Sequence, residues 1–331
     1  MKTIINDSLN PRYNLALEEY VLKHLDTDED FVLLWQNANS VIIGRNQNTI
    51  EEVNETYVRE HDVQVVRRIT GGGAVYHDLG NLNFSFITTS ARDNVNNYHK
   101  FIDPVVAALR SFGIPAEFSG RNDIVVDGMK VSGNAQAYHK KRMLHHGTIL
   151  LDADLTMIFN VLDVKPDKIA SKGIKSNRAR VTNIKPYLHE AVPMAEFKDR
   201  LLKYLLDTDD ISRHVYMLTA SDQAKIKELM ATKYDTWAWN YGQSPAFTIE
   251  RKGRYEGGGI SFHLNVEDGL IKSCRIYGDF LGVEDIGKLE RKFVGLKFGQ
   301  VEIATMLQTI NLDDYLLKIT AADISNCIFP K

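Results

Sequence analysis

Apolar positions first recur at helical spacing at Leu17, Val21 and Leu25. Asn10 and Pro11 precede them, an N-cap followed by a residue whose fixed φ suits the first helical position. Two short apolar runs follow, FVLLW at 31–35 and SVIIG at 40–44. Both are of strand length, and the intervening QNAN suits a tight reversal, so the pattern predicts a hairpin ending at Gly44 and Arg45. VQVVRR (63–68) and LNFSFI (82–87) are two more strand-like runs, separated by TGGGAVYHDLGN. Residues 101–113 read as a helix closing at Gly113, and HGTILLDADL (146–155) as another strand. Helical texture returns at 194–206 and 221–231. After WAWNYGQSPAF the texture changes to alternating strands over 247–277 (FTIERKGRY, GISFHLNV, LIKSCRIYG), then to helices at 284–294 and 300–309. This places a boundary near 245 and predicts two domains, 1–245 and 246–331, with no internal repeat.

The segment RNDIVVDGMKVSG carries Asp-Gly between two apolar runs, and both central residues of a type I′ turn need positive φ. With Asp127 and Gly128 as that turn, Val125 pairs with Lys130 and Asp123 with Ser132. Asp123, Val125, Lys130 and Ser132 then share one face, bringing an amine and a carboxylate together beside a hydroxyl.

Composition narrows the class. The 331 residues suffice for about two domains. Hydrophobic residues at 44% exclude a disordered chain, and the net charge of −3 gives no ground for wholesale binding to nucleic acid or membrane. No stretch approaches the ~18 apolar residues of a membrane span, and the N-terminus lacks a continuous apolar region, so a cytoplasmic protein is expected. The two cysteines, Cys274 and Cys327, fit no CxxC pattern and are expected as free thiols in a reducing compartment. None occurs in the first 273 residues, which excludes covalent thiol catalysis in the larger domain.

Three features offer chemistry. Gly71-Gly72-Gly73, preceded by Arg67-Arg68, can bring backbone N–H groups and a bidentate fork to phosphate oxygens; as a turn joining two strands it needs no ligand at all. Neither GxxxxGK[ST] nor a helix-opening GxGxxG is present. Lys130 is a mobile point charge suited to a phosphate that changes partners, and Asp123 could pair with it or hold Mg²⁺. The segment 165–185, with seven Lys/Arg and one acid, reads as a basic loop, either simply solvated or closing over an anion. His145 and His146, adjacent on a strand, point to opposite faces and cannot easily share a metal.

Taken together, RRITGGGAVYHDLGNLNFSF (67–86), GRNDIVVDGMKVSGNAQ (120–136), HHGTILLDADL (145–155) and the K-S-x-x-x-R-V-T-N run at 175–183 resemble the lipoate–protein ligases, and WNYGQSPAF (239–247) looks like that family's junction to an accessory domain. The resemblance implies an α+β fold: a large domain of the biotin/lipoate ligase type, with a mixed sheet and flanking helices related to class II aminoacyl-tRNA synthetases, plus a small α/β domain. It implies an ATP-dependent, adenylate-forming ligase. Lipoate and MgATP give lipoyl-adenylate, and the lipoyl group passes to a lysine of an acceptor, either a lipoyl domain of a 2-oxoacid dehydrogenase E2 subunit or the glycine cleavage H protein. By resemblance Lys130 and Asp123 are catalytic, with Asp123 also toward Mg²⁺. Arg68, Gly71, Gly72, Gly73, Ala74, Val75, Tyr76, Lys130, Ser132, Lys175, Arg178 and Thr182 hold the nucleotide or adenylate. Trp35, Val41 and Ile43 form the apolar slot. Neither nucleic acid nor membrane is an expected partner, and a monomer is the expected state.

Three other readings compete. A carrier-to-carrier lipoyl or octanoyl transferase would use a cysteine nucleophile, which the larger domain lacks. A biotin ligase would carry GRGRxGR where this chain has RRITGGGAV. A non-catalytic lipoate- or nucleotide-binding protein would not need Arg68, Asp123 and Lys130 together.

Overall fold

A computed structural model describes the chain except residues 48, 90–96, 121, 163–180, 245–246, 281–283 and 331. Two compact units divide it: 1–47 with 51–236, and 48–50 with 237–331. Residues 237–244 thus group with the smaller unit.

In the larger unit, α1 (Pro11–Lys23) begins where its sequence says it should, with Asn10 accepting from the amides of Arg12 and Tyr13. β1 (Phe31–Trp35) and β2 (Ser40–Ile43) do not form the expected hairpin. β1 pairs with β5 (Asn81–Thr88), whereas β2 lies between β3 (Gln64–Arg67) and β4 (Val75–His77) in a separate small sheet. The reason is visible at Asn37. Instead of turning in solvent it is wholly buried, bonded to Asn14 and His77, so the chain crosses from one sheet to the other there.

The main sheet continues with β6 (Ala116–Ser119), β7 (Asp123–Val126), β8 (Met129–His139) and β9 (Arg142–Leu150), in the antiparallel order β1-β5-β9-β8-β7-β6. α2 (His99–Ser111) closes at Gly113, whose φ is +85°, and covers one face of the sheet through Phe101, Ile102, Val105 and Leu109. α3 (Leu155–Val161), α4 (Met194–Leu206) and α5 (Ala220–Leu229) complete the labelled helices of this unit. α4 buries Phe197, Leu201 and Leu202 in the same core as α2.

The smaller unit holds the antiparallel sheet β10 (Phe247–Tyr255), β11 (Gly258–Glu267) and β12 (Leu270–Gly278). Helices Ile286–Phe293, Gln300–Gln308 and Ala321–Ile328 pack on it. The last of these was not anticipated, although Thr320 and Asp323 form a capping box at its start. Cys274 and Cys327 are free and buried in this core. The fold is α+β, as expected. Among the described residues no helix is long and apolar enough to cross a membrane.

Candidate active site

The Asp-Gly turn forms as its chemistry demands, with φ of +51° at Asp127 and +74° at Gly128, and Val125 pairs with Lys130. Beyond that pair the register slips. A bulge between Ile124 and Val125 sets Asp123 opposite Gly133, not Ser132. The expected meeting survives: Lys130 Nζ lies 2.7 Å from Asp123 Oδ1. Gly133 makes room for it, because a Cβ built there would stand 2.8 Å from that Nζ. Ser132 is buried and accepts a hydrogen bond from Asn134 Nδ2.

The arginines behave differently from expectation. Arg68 is buried, and its donors go to Thr70 Oγ1 and to the carbonyls of Ile42, Gly71 and Gly73. Its fork therefore braces the glycine segment from within, on a side chain that also lines the first cavity. Burial pulls its pKa down to about 10, which leaves it charged at neutral pH. Arg67, wholly buried, does the same for the carbonyls of Gly44, Arg45 and Gln47. With carbonyls drawn to Arg68, the N–H groups of Gly71 through Ala74 make no hydrogen bond among the described residues. Gly72 has φ +96°, and Gly44 faces it so closely that a Cβ on Gly44 would meet its carbonyl oxygen at 2.0 Å.

Two cavities meet beside this segment. The first, about 90 Å³, is a narrow slot walled by Leu15, Trp35, Ile42, Val75, His77 and Gly147. Of the residues proposed for an apolar slot, Trp35 lines it, but Val41 and Ile43 do not. Strand alternation turns Ile42 toward the space and its neighbours away. The second cavity, about 200 Å³, is lined by Ala74, Tyr76, Asn81, Asp123, Ser132 and Leu150. Val75, Lys130, Gly133 and Thr148 border both, while Arg68, Gly72 and Gly73 border the first. Lys130 is thus one of the residues shared by the two spaces.

Beneath the slot runs a chain of buried polar groups centred on His146, one of the two adjacent histidines expected to supply a hydrogen-bonded histidine in or beside the pocket. Trp35 Nε1 donates to Ser85 Oγ at 2.8 Å, and Ser85 donates to Glu18. Glu18 accepts from His146 Nδ1 at 3.0 Å, and His146 Nε2 lies 2.8 Å from Thr70 Oγ1, itself held by Arg68. Asn14 Nδ2 donates to Asn37 Oδ1, so Asn37 Nδ2 must donate to His77 Nδ1. The His77 proton then sits on Nε2, which is buried with no partner. Burial, with Arg68 and His146 nearby, lowers the His77 pKa to about 3. His145 points to the other face, as alternation predicts, stacked on Phe101 at 4.9 Å. Burial lowers its pKa to about 3 as well.

Thr182 reaches the site through its amide, which donates to Lys130 O at 3.0 Å, and Val181 lines the second cavity. Lys175 and Arg178 lie outside the described residues. Among the described residues no group of three His, Cys, Asp or Glu could hold a metal ion. The carboxylate lining the second cavity is Asp123, whose second oxygen has no partner among the described residues.

Residues 10–206 match the family described as the lipoyl protein ligase A/B catalytic domain, and residues 244–328 match the bacterial lipoate protein ligase C-terminus. Lipoate-protein ligase LplJ of Bacillus subtilis is 47% identical over 331 residues, 99% of this chain and 100% of that relative. A bipartite lipoate protein ligase of Thermoplasma acidophilum, described with its E2 lipoyl domain, is 30% identical with a TM-score of 0.62. The match covers 75% of this chain and 98% of that one. A lipoate-protein ligase A bound with ATP is 29% identical with a TM-score of 0.61, over 73% and 98% of the two chains. Glycine segment, hairpin lysine and accessory unit all fall within these matches, and the chain belongs to the lipoate–protein ligases, ATP-dependent enzymes that attach lipoate.

Proposed function

We propose that this chain joins lipoate to ATP at the junction of the two cavities, forming lipoyl-adenylate and releasing pyrophosphate. It then passes the lipoyl group to a lysine of an acceptor lipoyl domain or H protein. The observation that carries this reading is the position of Lys130, which lines both spaces. The apolar slot suits the lipoyl chain, and the wider cavity suits the nucleotide.

A carboxylate is a poor electrophile because oxide would have to leave. As a mixed anhydride with AMP it has a leaving group. Attack of the carboxylate oxygen on the α-phosphorus expels pyrophosphate, and the protein's task is to bring positive charge and donors to the phosphate oxygens. Lys130 supplies the charge, and the free N–H groups of Gly71 to Ala74 supply donors. Asp123 has the donor type and the open oxygen to hold Mg²⁺ together with phosphate oxygens, where the ion would spread developing negative charge. In the second half-reaction the acceptor amine attacks the acyl carbon and AMP leaves.

The ATP-bound relative and the ligase described with its E2 lipoyl domain support the choice of nucleotide and acceptor. Two buried free thiols accord with a cytoplasmic setting. We assign catalysis to the larger unit and an accessory role to the smaller. The transferase reading fails on chemistry: Cys274 is buried, its pKa raised to about 12, and neither thiol belongs to the larger unit.

The test is lipoate-dependent exchange of pyrophosphate into ATP, with Lys130→Ala alongside. Exchange should require lipoate and fall by about 10²–10³ in the variant, the usual cost of removing a donor at developing charge. Exchange that ignores lipoate, or survives intact in the variant, would refute the assignment.

A further inference from the structure

Successive carbonyls of the glycine segment leave it in two directions. Those of Gly71 and Gly73 accept from Arg68 Nη2, at 2.7 and 2.8 Å. That of Gly72 turns instead to Gly44, so closely that a Cβ on Gly44 would meet it at 2.0 Å. A peptide unit is planar and trans, so each N–H points opposite to the carbonyl before it. Arg68 therefore aims the N–H groups of Gly72 and Ala74, whereas the contact with Gly44 aims that of Gly73. Gly73 lines the first cavity and Ala74 the second.

Gly44 has no side chain to hold it in place. It is held by a turn over residues 44–47. Gln47 N donates to Gly44 O at 3.0 Å, and Arg67 donates to the carbonyls of Gly44, Arg45 and Gln47. Gly44 N donates to Gln47 Oε1 at 2.9 Å, which fixes the side-chain amide of Gln47 with its oxygen toward Gly44. Arg45 N donates to Thr70 O at 2.8 Å and ties the turn to the residue before the glycines. Gly44 is not among the positive-φ residues, so the turn itself does not call for glycine there. The approach of the Gly72 carbonyl does. Gln47 lines neither cavity, yet its side chain secures the residue against which that carbonyl rests.

We propose that Gln47 is a positioning residue for phosphate binding, acting through Gly44 on the peptide unit that joins Gly72 to Gly73. This rests on the reading of the glycine segment as the phosphate holder. Without the Gln47 oxygen, the Gly44 amide loses its partner and the turn loosens. The Gly72 carbonyl is then free to swing, and the Gly73 N–H swings with it, away from the phosphate oxygens.

The experiment is calorimetric binding of ATP and of lipoate to the full chain, with Gln47→Met in parallel, a variant that keeps the length of the side chain and removes the acceptor. Gln47→Met should bind ATP about tenfold more weakly than the parent and lipoate within about twofold of it. Adenosine, which has no phosphate and is measured as a competitor of ATP, should bind parent and variant alike. ATP affinity equal to the parent's overturns the proposal. So does a loss shared equally by ATP, adenosine and lipoate, the mark of a merely structural role. If Gln47→Met fails to fold, Gly44→Ala decides by the same pattern, because its Cβ pushes the Gly72 carbonyl directly. A phosphate-specific loss in a chain whose parent releases no pyrophosphate with lipoate would refute the ligase chemistry and leave the role of Gln47 standing. A parent that binds no ATP would overturn both.

Discussion

Gly133→Ala isolates the placement of Lys130 from its identity. The added Cβ would lie 2.8 Å from Lys130 Nζ, 3.0 Å from Cε and 3.9 Å from Asp123 Oδ1. Ordinary contacts of this kind are about 3.5–4.0 Å, so the ammonium must retreat by roughly 1 Å. The lysine can do this cheaply because its stem is flexible and its head half-exposed. Gly133 is not among the positive-φ residues, so alanine fits the backbone and should leave the melting temperature unchanged or slightly raised. A misplacement of about 1 Å at a reacting group costs on the order of 10²-fold, or about 2.7 kcal/mol of barrier. The expected result is a fall of that size in kcat/KM for lipoate-dependent pyrophosphate release with an unaltered melting curve. A variant as fast as the parent would show that Lys130 does not act from the position at the cavity junction.

Two further outcomes follow from packing and burial. Gly147→Ala would force a Cβ to 2.1 Å from Asn134 Oδ1 and 2.5 Å from Phe84 Cζ, with strand β9 unable to yield. Overpacking of this kind costs about 1–3 kcal/mol, and at about 2–4 °C per kcal/mol for a domain of this size the melting temperature should drop measurably. An unchanged transition would contradict the packing described. His77 and His145, both held near pKa 3 by burial, bind no proton in the folded state where the unfolded chain does. Their contribution is therefore complete above about pH 6.5 and is lost as pH falls below it, at about 1.4 kcal/mol per pH unit for each histidine. Urea unfolding between pH 7 and 5 should show that slope, and His77→Gln should remove about one proton of it. A slope unaffected by the substitution would place the proton uptake elsewhere.

Turns and caps were legible along the chain because their chemistry is local. Asn10-Pro11 begins a helix and Asp127-Gly128 reverses a strand for reasons contained in two residues. From that turn and strand alternation alone, Lys130 could be placed beside Asp123. The bulge at Ile124 could not, since it depends on how β7 fits its neighbours. Local pattern failed most clearly at FVLLW and SVIIG. With every position buried, neither run marks which face meets which sheet, and only long-range pairing assigned them to different ones. The same limit hid the role of Arg68: a guanidinium fork suits a phosphate and a set of carbonyls equally well, and tertiary packing put the carbonyls within its reach. Thr70, His77, Asn81 and Thr148 lie inside the segments that carry the family resemblance and Glu18 outside them, but nothing in the chain says which cavity wall or buried polar chain each one joins. The sequence by itself determined the fold class, the family and the charged pair at the hairpin, because those rest on short-range patterns. The two cavities, their junction at Lys130 and the unmatched groups on their walls were decided by the tertiary structure, because a cavity is the space left between elements and belongs to none of them.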